Sequence, residues 1–287
     1  TIRIFIIQMP RPKTISEIYK EHKKSFLKHL NSAKSLDEEK IHKLRVDAKY
    51  LRSLLTFFEF LSKNKISKKK ILKLISPVFK SAGKIRTTTL NIKLTKVYRS
   101  KAILGFKIHL QLKEKKQEKI LLKTIKKFDR KKFEKLHKKT LYVLKKTSKS
   151  NCVKRIEEYV KGFLETMHTD IVDVDNNKNF HDVRKKLKEV KNLTVLLENI
   201  SPKRKLIIRP QKVEAIEEKI GKWHDTVILV QELEKFIMDS QNTNARPTER
   251  DKNNNDNEKL SILVINLKAR NETNKKIIIG QLKNKLF

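Results

Sequence analysis

Twice in this chain a histidine is followed by basic residues three, seven and ten positions on. The first set is His42, Arg45, Lys49 and Arg52 in HKLRVDAKYLR; the second is His181, Arg184, Lys188 and Lys191 in HDVRKKLKEVK. At about 100° per residue these offsets fall within a sector of roughly 80°, so each set makes one helical stripe about 15 Å long. Cations in a row with no acid between them raise one another's electrostatic energy, and an external polyanion relieves that cost. Phosphate suits the side chains: Arg pairs with its oxygens bidentately, Lys acts as a mobile point charge, and protonated His donates from both nitrogens. Base readout needs Asn, Gln or aromatic residues among the charges, and neither stripe has any.

Helices must position these stripes. About 120° around the first one, Leu44, Ala48, Leu51, Leu55 and Phe58 form a core face, and Val183, Leu187, Val190 and Leu197 do so in the second. Asp182 and Glu189 point away from the second stripe. Apolar spacing predicts a first helix over 13–32 and a second from the capping-box pattern SLDE at 35–38 to about residue 62. A third spans 67–82, before Gly83. A long basic helical stretch covers 114–148, broken once, and another helix covers 151–170. DVDNNKN at 173–179 is a polar break before the second stripe. One more helix follows SPKRK. The Asn-rich segment 239–258 reads as a solvated loop, and an amphipathic segment closes the chain at 259–287. GKIRTTTLNIKL after the first stripe and GKWHDTVILVQEL after the second keep the same register, a repeat of about 139 residues that divides the chain into 13–150 and 151–287.

Composition agrees with an all-α fold: 287 residues contain only five glycines and six prolines, few for a protein of many strands and turns. Seventy Lys and Arg against 32 Asp and Glu leave a formal charge of +38, which attracts nucleic acid, polyphosphate, anionic membranes or acidic proteins. Cys152 is the single cysteine, so an intramolecular disulfide and a thiolate zinc cluster are excluded. There is no transmembrane segment and no signal-peptide pattern, which points to a soluble, cytoplasmic protein. Catalysis, a metal and a cofactor are not expected. His224 and Asp225 are chain neighbours that diverge on a helix, His22 and His29 lack a carboxylate or thiolate to complete a ligand set, and no Gly-rich phosphate loop occurs. Sequence-nonspecific nucleic-acid binding is the alternative function. The run 123–146 offers charge for it, but Ile125, Phe128, Phe133, Leu136, Leu141 and Leu144 are spaced like a packed face rather than base-stacking platforms. A membrane-surface role is weaker, because the apolar residues repeat as core stripes on several helices.

The two stripes, in IHKLRVDAKYLRSLLTFFEFL and FHDVRKKLKEVKNLTVLLENI, resemble the paired motifs of the CHAD family, the conserved histidine α-helical domain. AGKIRTTTL and IGKWHDTVILV are similar to its Gly-containing motif. From residue 13 to the end, the resemblance implies a single domain of two helical bundles related by a pseudo-twofold axis, with basic residues lining a central cleft or pore. It also implies binding of inorganic polyphosphate, often at polyphosphate granules; by its charge alone, nucleic acid is expected as a weaker competitor. The implied contacts are His42, Arg45, Lys49, Arg52, His181, Arg184, Lys188 and Lys191, joined by Arg86 and His224 from the glycine segments. Thr87 stands where the family commonly has Asp, whereas Asp225 keeps it.

Overall fold

In the computed structural model, Thr14 opens the first helix. Its hydroxyl accepts from the Glu17 amide at 3.2 Å and its amide donates to the Glu17 carboxylate at 2.7 Å, so two otherwise orphaned groups are satisfied together. The structure describes residues 11–172, 177–206, 208–241 and 247–286, with side chains outside 167–179, 242–254 and 283–287. The chain runs through α1 (Ile15–Ser32), α2 (Glu38–Leu61), α3 (Lys68–Leu94), α4 (Lys101–Lys126) and α5 (Arg130–Lys145). It continues through α6 (Lys149–Val172), α7 (Asn177–Ile200), α8 (Pro210–Gln241) and α9 (Pro247–Leu286). Among the described residues there is no strand, and the fold is all-α.

Several boundaries differ from the sequence reading, each for a local reason. Asp37 rather than Ser35 caps α2, accepting from the Lys40 amide at 3.0 Å; Leu36 turns the chain at φ 59°, and Ser35 ends a short 3-10 turn. α3 does not stop at residue 82 but passes through Gly83, because Val78, Ala82 and Ile85 carry one buried stripe across it. α4 begins at Lys101, capped by Ser100, well before residue 114, and the expected break falls at Asp129, which caps α5 through the Lys132 amide at 2.8 Å. Much of the Asn-rich segment is helical: α8 runs to Gln241 and α9 starts at Pro247. Ser240 donates to the buried Asn257 at 2.9 Å, so packing between α8 and α9 holds a polar stretch that has no apolar period of its own. Of the polar break at 173–179, residues 173–176 lie outside the described residues, and α7 begins at Asn177.

Both predicted core faces are buried. Leu44, Ala48, Leu51, Leu55 and Phe58 of α2 join Val183, Leu187, Val190 and Leu197 of α7 in one apolar cluster that also takes side chains from α1, α3, α5, α6 and α8. A second cluster, led by Phe106, Leu110, Leu233, Leu260 and Val264, ties α4 to α8 and α9. Packing order repeats along the chain: α1 on α2, α2 on α3 and α3 on α4, then α6 on α7, α7 on α8 and α8 on α9. α2 and α7 touch each other directly, and Asn192 donates to Ser53 across that contact at 2.9 Å. The two stripe-bearing helices are therefore neighbours in space although far apart in sequence.

Candidate anion-binding site

Each stripe is held by the buried face behind it and by the following helix beside it. In the first half Arg45 lies over the Phe79 ring, 4.9 Å from its centre, and its Nη1 donates to the Phe79 carbonyl at 3.1 Å. The guanidinium crosses α3 just above Gly83, where an added methyl group would overlap Nη1. Glycine is needed here for this close approach rather than for an unusual backbone angle, since no described glycine has a positive φ. The second half repeats the device: a Cβ on Gly221 would come within 3.0 Å of Arg184 Nη2. Buried side chains also set the histidines. Phe180 and Trp223 pack edge to face at 4.7 Å, which places the following residues, His181 and His224, with ring centres 5.0 Å apart.

The cations of the two halves converge. Lys49 of α2 is half-buried beside Arg45 of its own stripe and Lys188 and Arg184 of α7. Burial first, then Lys188, Arg45 and Arg184, push its pKa down to about 7, with Glu217 opposing. Arg45 is pushed down to about 10 by burial and by Arg86. Lys188 is lowered by burial and by Arg184, against Glu217 and Asp225. His224 falls to about 4, mainly through burial, then through Arg184, His181, Lys188 and Lys49. His42 and His181 are lowered by burial and by the cations around them, Arg86 first for His42 and Lys185 first for His181. Asp225 is raised by burial, against the pull of Arg184, Arg86, Lys188 and Lys49. At neutral pH this is a compact group of Arg and Lys charges flanked by neutral imidazoles that can still donate hydrogen bonds.

Of the last members of the stripes, Arg52 shares the Phe79 ring with Arg45, and Lys191 turns to α8. Arg52 lies over the Phe79 ring at 5.6 Å, and Lys191 Nζ is 2.5 Å from Glu214 of α8. Arg86 reaches the group from α3 while bonded to Glu38, which also takes Lys93 at 2.6 Å. A cavity of about 210 Å³ adjoins Arg86, but Glu38, Glu114 and Glu118 line it, so its charge is wrong for phosphate. The second stripe is not free of acids, contrary to what its own helix suggested: Asp182 Oδ1 lies 3.9 Å from His181 Nδ1 instead of pointing away. Glu217 of α8 sits 3.0 Å from Lys188 Nζ and 3.8 Å from Arg184 Nε.

One polar cluster was not legible in the sequence. His29 Nδ1 lies 2.5 Å from the Asp47 carboxylate, which also accepts from Ser25 at 2.9 Å, and this pins α1 to α2. Asp47 is thus a carboxylate beside His29 that the sequence reading did not find, while His22 stays apart from it, stacked on Tyr50 at 3.8 Å. The basic run on α4 and α5 is a packed face: Ile125, Phe133 and Leu144 are buried, and Phe128, Leu136 and Leu141 pack against the same core.

A family model, the CHAD domain, matches residues 17–234, and with them both stripes and both glycine segments. The chain belongs to the CHAD family. Among solved structures it is similar to the CHAD domain from the plant Ricinus communis, with a TM-score of 0.69 at 13% identity over 96% of each chain. At that identity the likeness speaks for the fold. The comparison with curated proteins returned no match. No described helix of this CHAD protein is long and apolar enough to cross a membrane.

Proposed function

We propose that this CHAD protein binds inorganic polyphosphate, without catalysis, where α2 and α7 bring Arg45, Lys49, Arg184 and Lys188 together. In this reading the two halves of one domain, related by a pseudo-twofold axis, form a basic cleft, and the protein works in the cytoplasm at polyphosphate granules. One observation carries it: Lys49 is half-buried where α2 meets α7, beside Arg45, Arg184 and Lys188, and burial with those cations pushes its pKa down to about 7, a cost that a multivalent anion relieves. A bare phosphate chain is much thinner than a duplex and so suits a half-buried ammonium better. Phosphates of a nucleic-acid duplex are held on a wide cylinder and meet mainly the outer lysines. The apolar face of α4 and α5 is packed, which leaves Tyr142 as the exposed ring of the run 123–146, with Lys146 over it at 4.2 Å.

Competition tests the proposal against the nucleic-acid alternative. At equal phosphate concentration, long-chain polyphosphate is expected to displace a labelled mixed-sequence duplex, while the duplex leaves bound polyphosphate in place. The opposite ranking would make nucleic acid the better reading.

A further inference from the structure

The two halves are not equivalent at the site, and the glycine register shows where they part. Four residues before Gly221 stands Glu217; four residues before Gly83 stands Phe79. Both lie beside the arginine of their stripe. Phe79 holds Arg45 by its ring face and its backbone carbonyl, contacts that leave the positive charge uncancelled. Glu217 instead places a carboxylate against both Arg184 and Lys188, with Oε1 at 3.8 Å and 3.0 Å. The same split recurs one turn beyond each glycine, where Asp225 in the second half corresponds to Thr87 in the first. Glu217 is itself only 18% exposed, so its pairs are poorly screened by solvent.

The geometry points to Glu217 as an internal counter-anion that occupies the second half of the site until a phosphate chain displaces it, and so as a residue that selects for chain length. The inference rests on the polyphosphate reading above. A short anion settles on the side that Glu217 does not pair, over Arg45 and Lys49 with Arg86, whose own partner is Glu38, and does not need Arg184 and Lys188. A long chain reaches across, and its charge replaces the carboxylate on those two cations. Glu217 then reduces most the affinity of a ligand that spans both halves, and less that of one that does not, which feels the carboxylate only through Lys49. It also keeps the empty site from holding solution anions on the second half. Fewer counterions are then released when polyphosphate binds than the number of cations suggests.

The test compares Glu217→Gln with the wild-type chain, using triphosphate and long-chain polyphosphate over a range of salt. Long-chain affinity should rise about tenfold, the free-energy equivalent of one poorly screened charge contact. Its logarithmic salt slope should steepen by about one unit, since newly freed cations recruit and release counterions. Triphosphate affinity should change by less than about threefold. Unchanged long-chain affinity and slope, or equal gains for both ligands, would overturn the inference. Failure of the wild-type chain to bind long-chain polyphosphate would instead overturn the function proposed above. In that case the Lys188 titration, followed by NMR without ligand, still decides the role of Glu217. Glu217→Gln should lower the Lys188 pKa, because the carboxylate that favours its charged form is gone. An unmoved titration would show that Glu217 is no counter-anion.

Discussion

Replacing Arg45, Lys49, Arg184 and Lys188 together by glutamine should lower affinity for long-chain polyphosphate by at least about 100-fold. A charge-assisted contact is worth about 1.5–3 kcal/mol, so losing four non-additive ones exceeds that factor comfortably. Glutamine keeps much of each stem over the apolar surface, and none of the four belongs to the buried core. The comparison that gives the result meaning is a variant with the same loss of charge elsewhere. Lys131, Lys135, Lys138 and Lys139 on α5 are all exposed, and changing them to glutamine should cost less than about fivefold. Circular dichroism would check that both variants keep their helix content. Equal losses in the two variants would mean that the total charge of +38 binds the polyanion and that the junction of α2 and α7 has no special part.

Lys49→Met should have the second largest effect, with opposite signs for stability and binding. In the folded protein Lys49 titrates near 7, against 10.5 for an unconstrained lysine. Between these values the unfolded chain binds the extra proton, so wild-type stability should rise as pH increases from about 7 to about 10.5. Below that window the buried charge is present in full and destabilises the ligand-free fold by an amount on the order of a few kcal/mol. Methionine removes the charge while keeping an unbranched stem, so the denaturation midpoint at pH 6 should increase and much of the pH dependence should vanish. Polyphosphate binding should weaken in the same variant. The wild-type chain should also take up a proton on binding at pH 8, because bound phosphate favours the ammonium form, and Lys49→Met should lose that uptake. Calorimetry in buffers of different ionisation enthalpy measures it.

The parts of the site written along single helices were legible in the sequence. Offsets of three, seven and ten on α2 and α7 fix which cations share a face, and the buried Leu44, Leu51, Val183 and Leu187 fix which way that face turns. Pairing across helices was not legible. Glu214 and Glu217 lie more than 20 residues from the cations they meet, and only the packing of α8 on α7 brings them there. Gly83 was misread for a related reason. A glycine after an amphipathic run usually marks a helix end, but here it makes room for Arg45, a side chain from another helix. Asp47 shows the same limit. It lies among the stripe residues of α2 in sequence, yet turns to His29 and Ser25 of α1 and leaves the cations uncancelled.

The central claim is a location, so the most direct measurement is a crystal structure of this CHAD protein with a polyphosphate oligomer bound. The chain of phosphates should lie across Arg45, Lys49 and Arg86 and continue onto Arg184 and Lys188, with the Glu217 carboxylate moved off both. Phosphates lying along the exposed lysines of α5, with Lys49 and Glu217 where they are now, would contradict it.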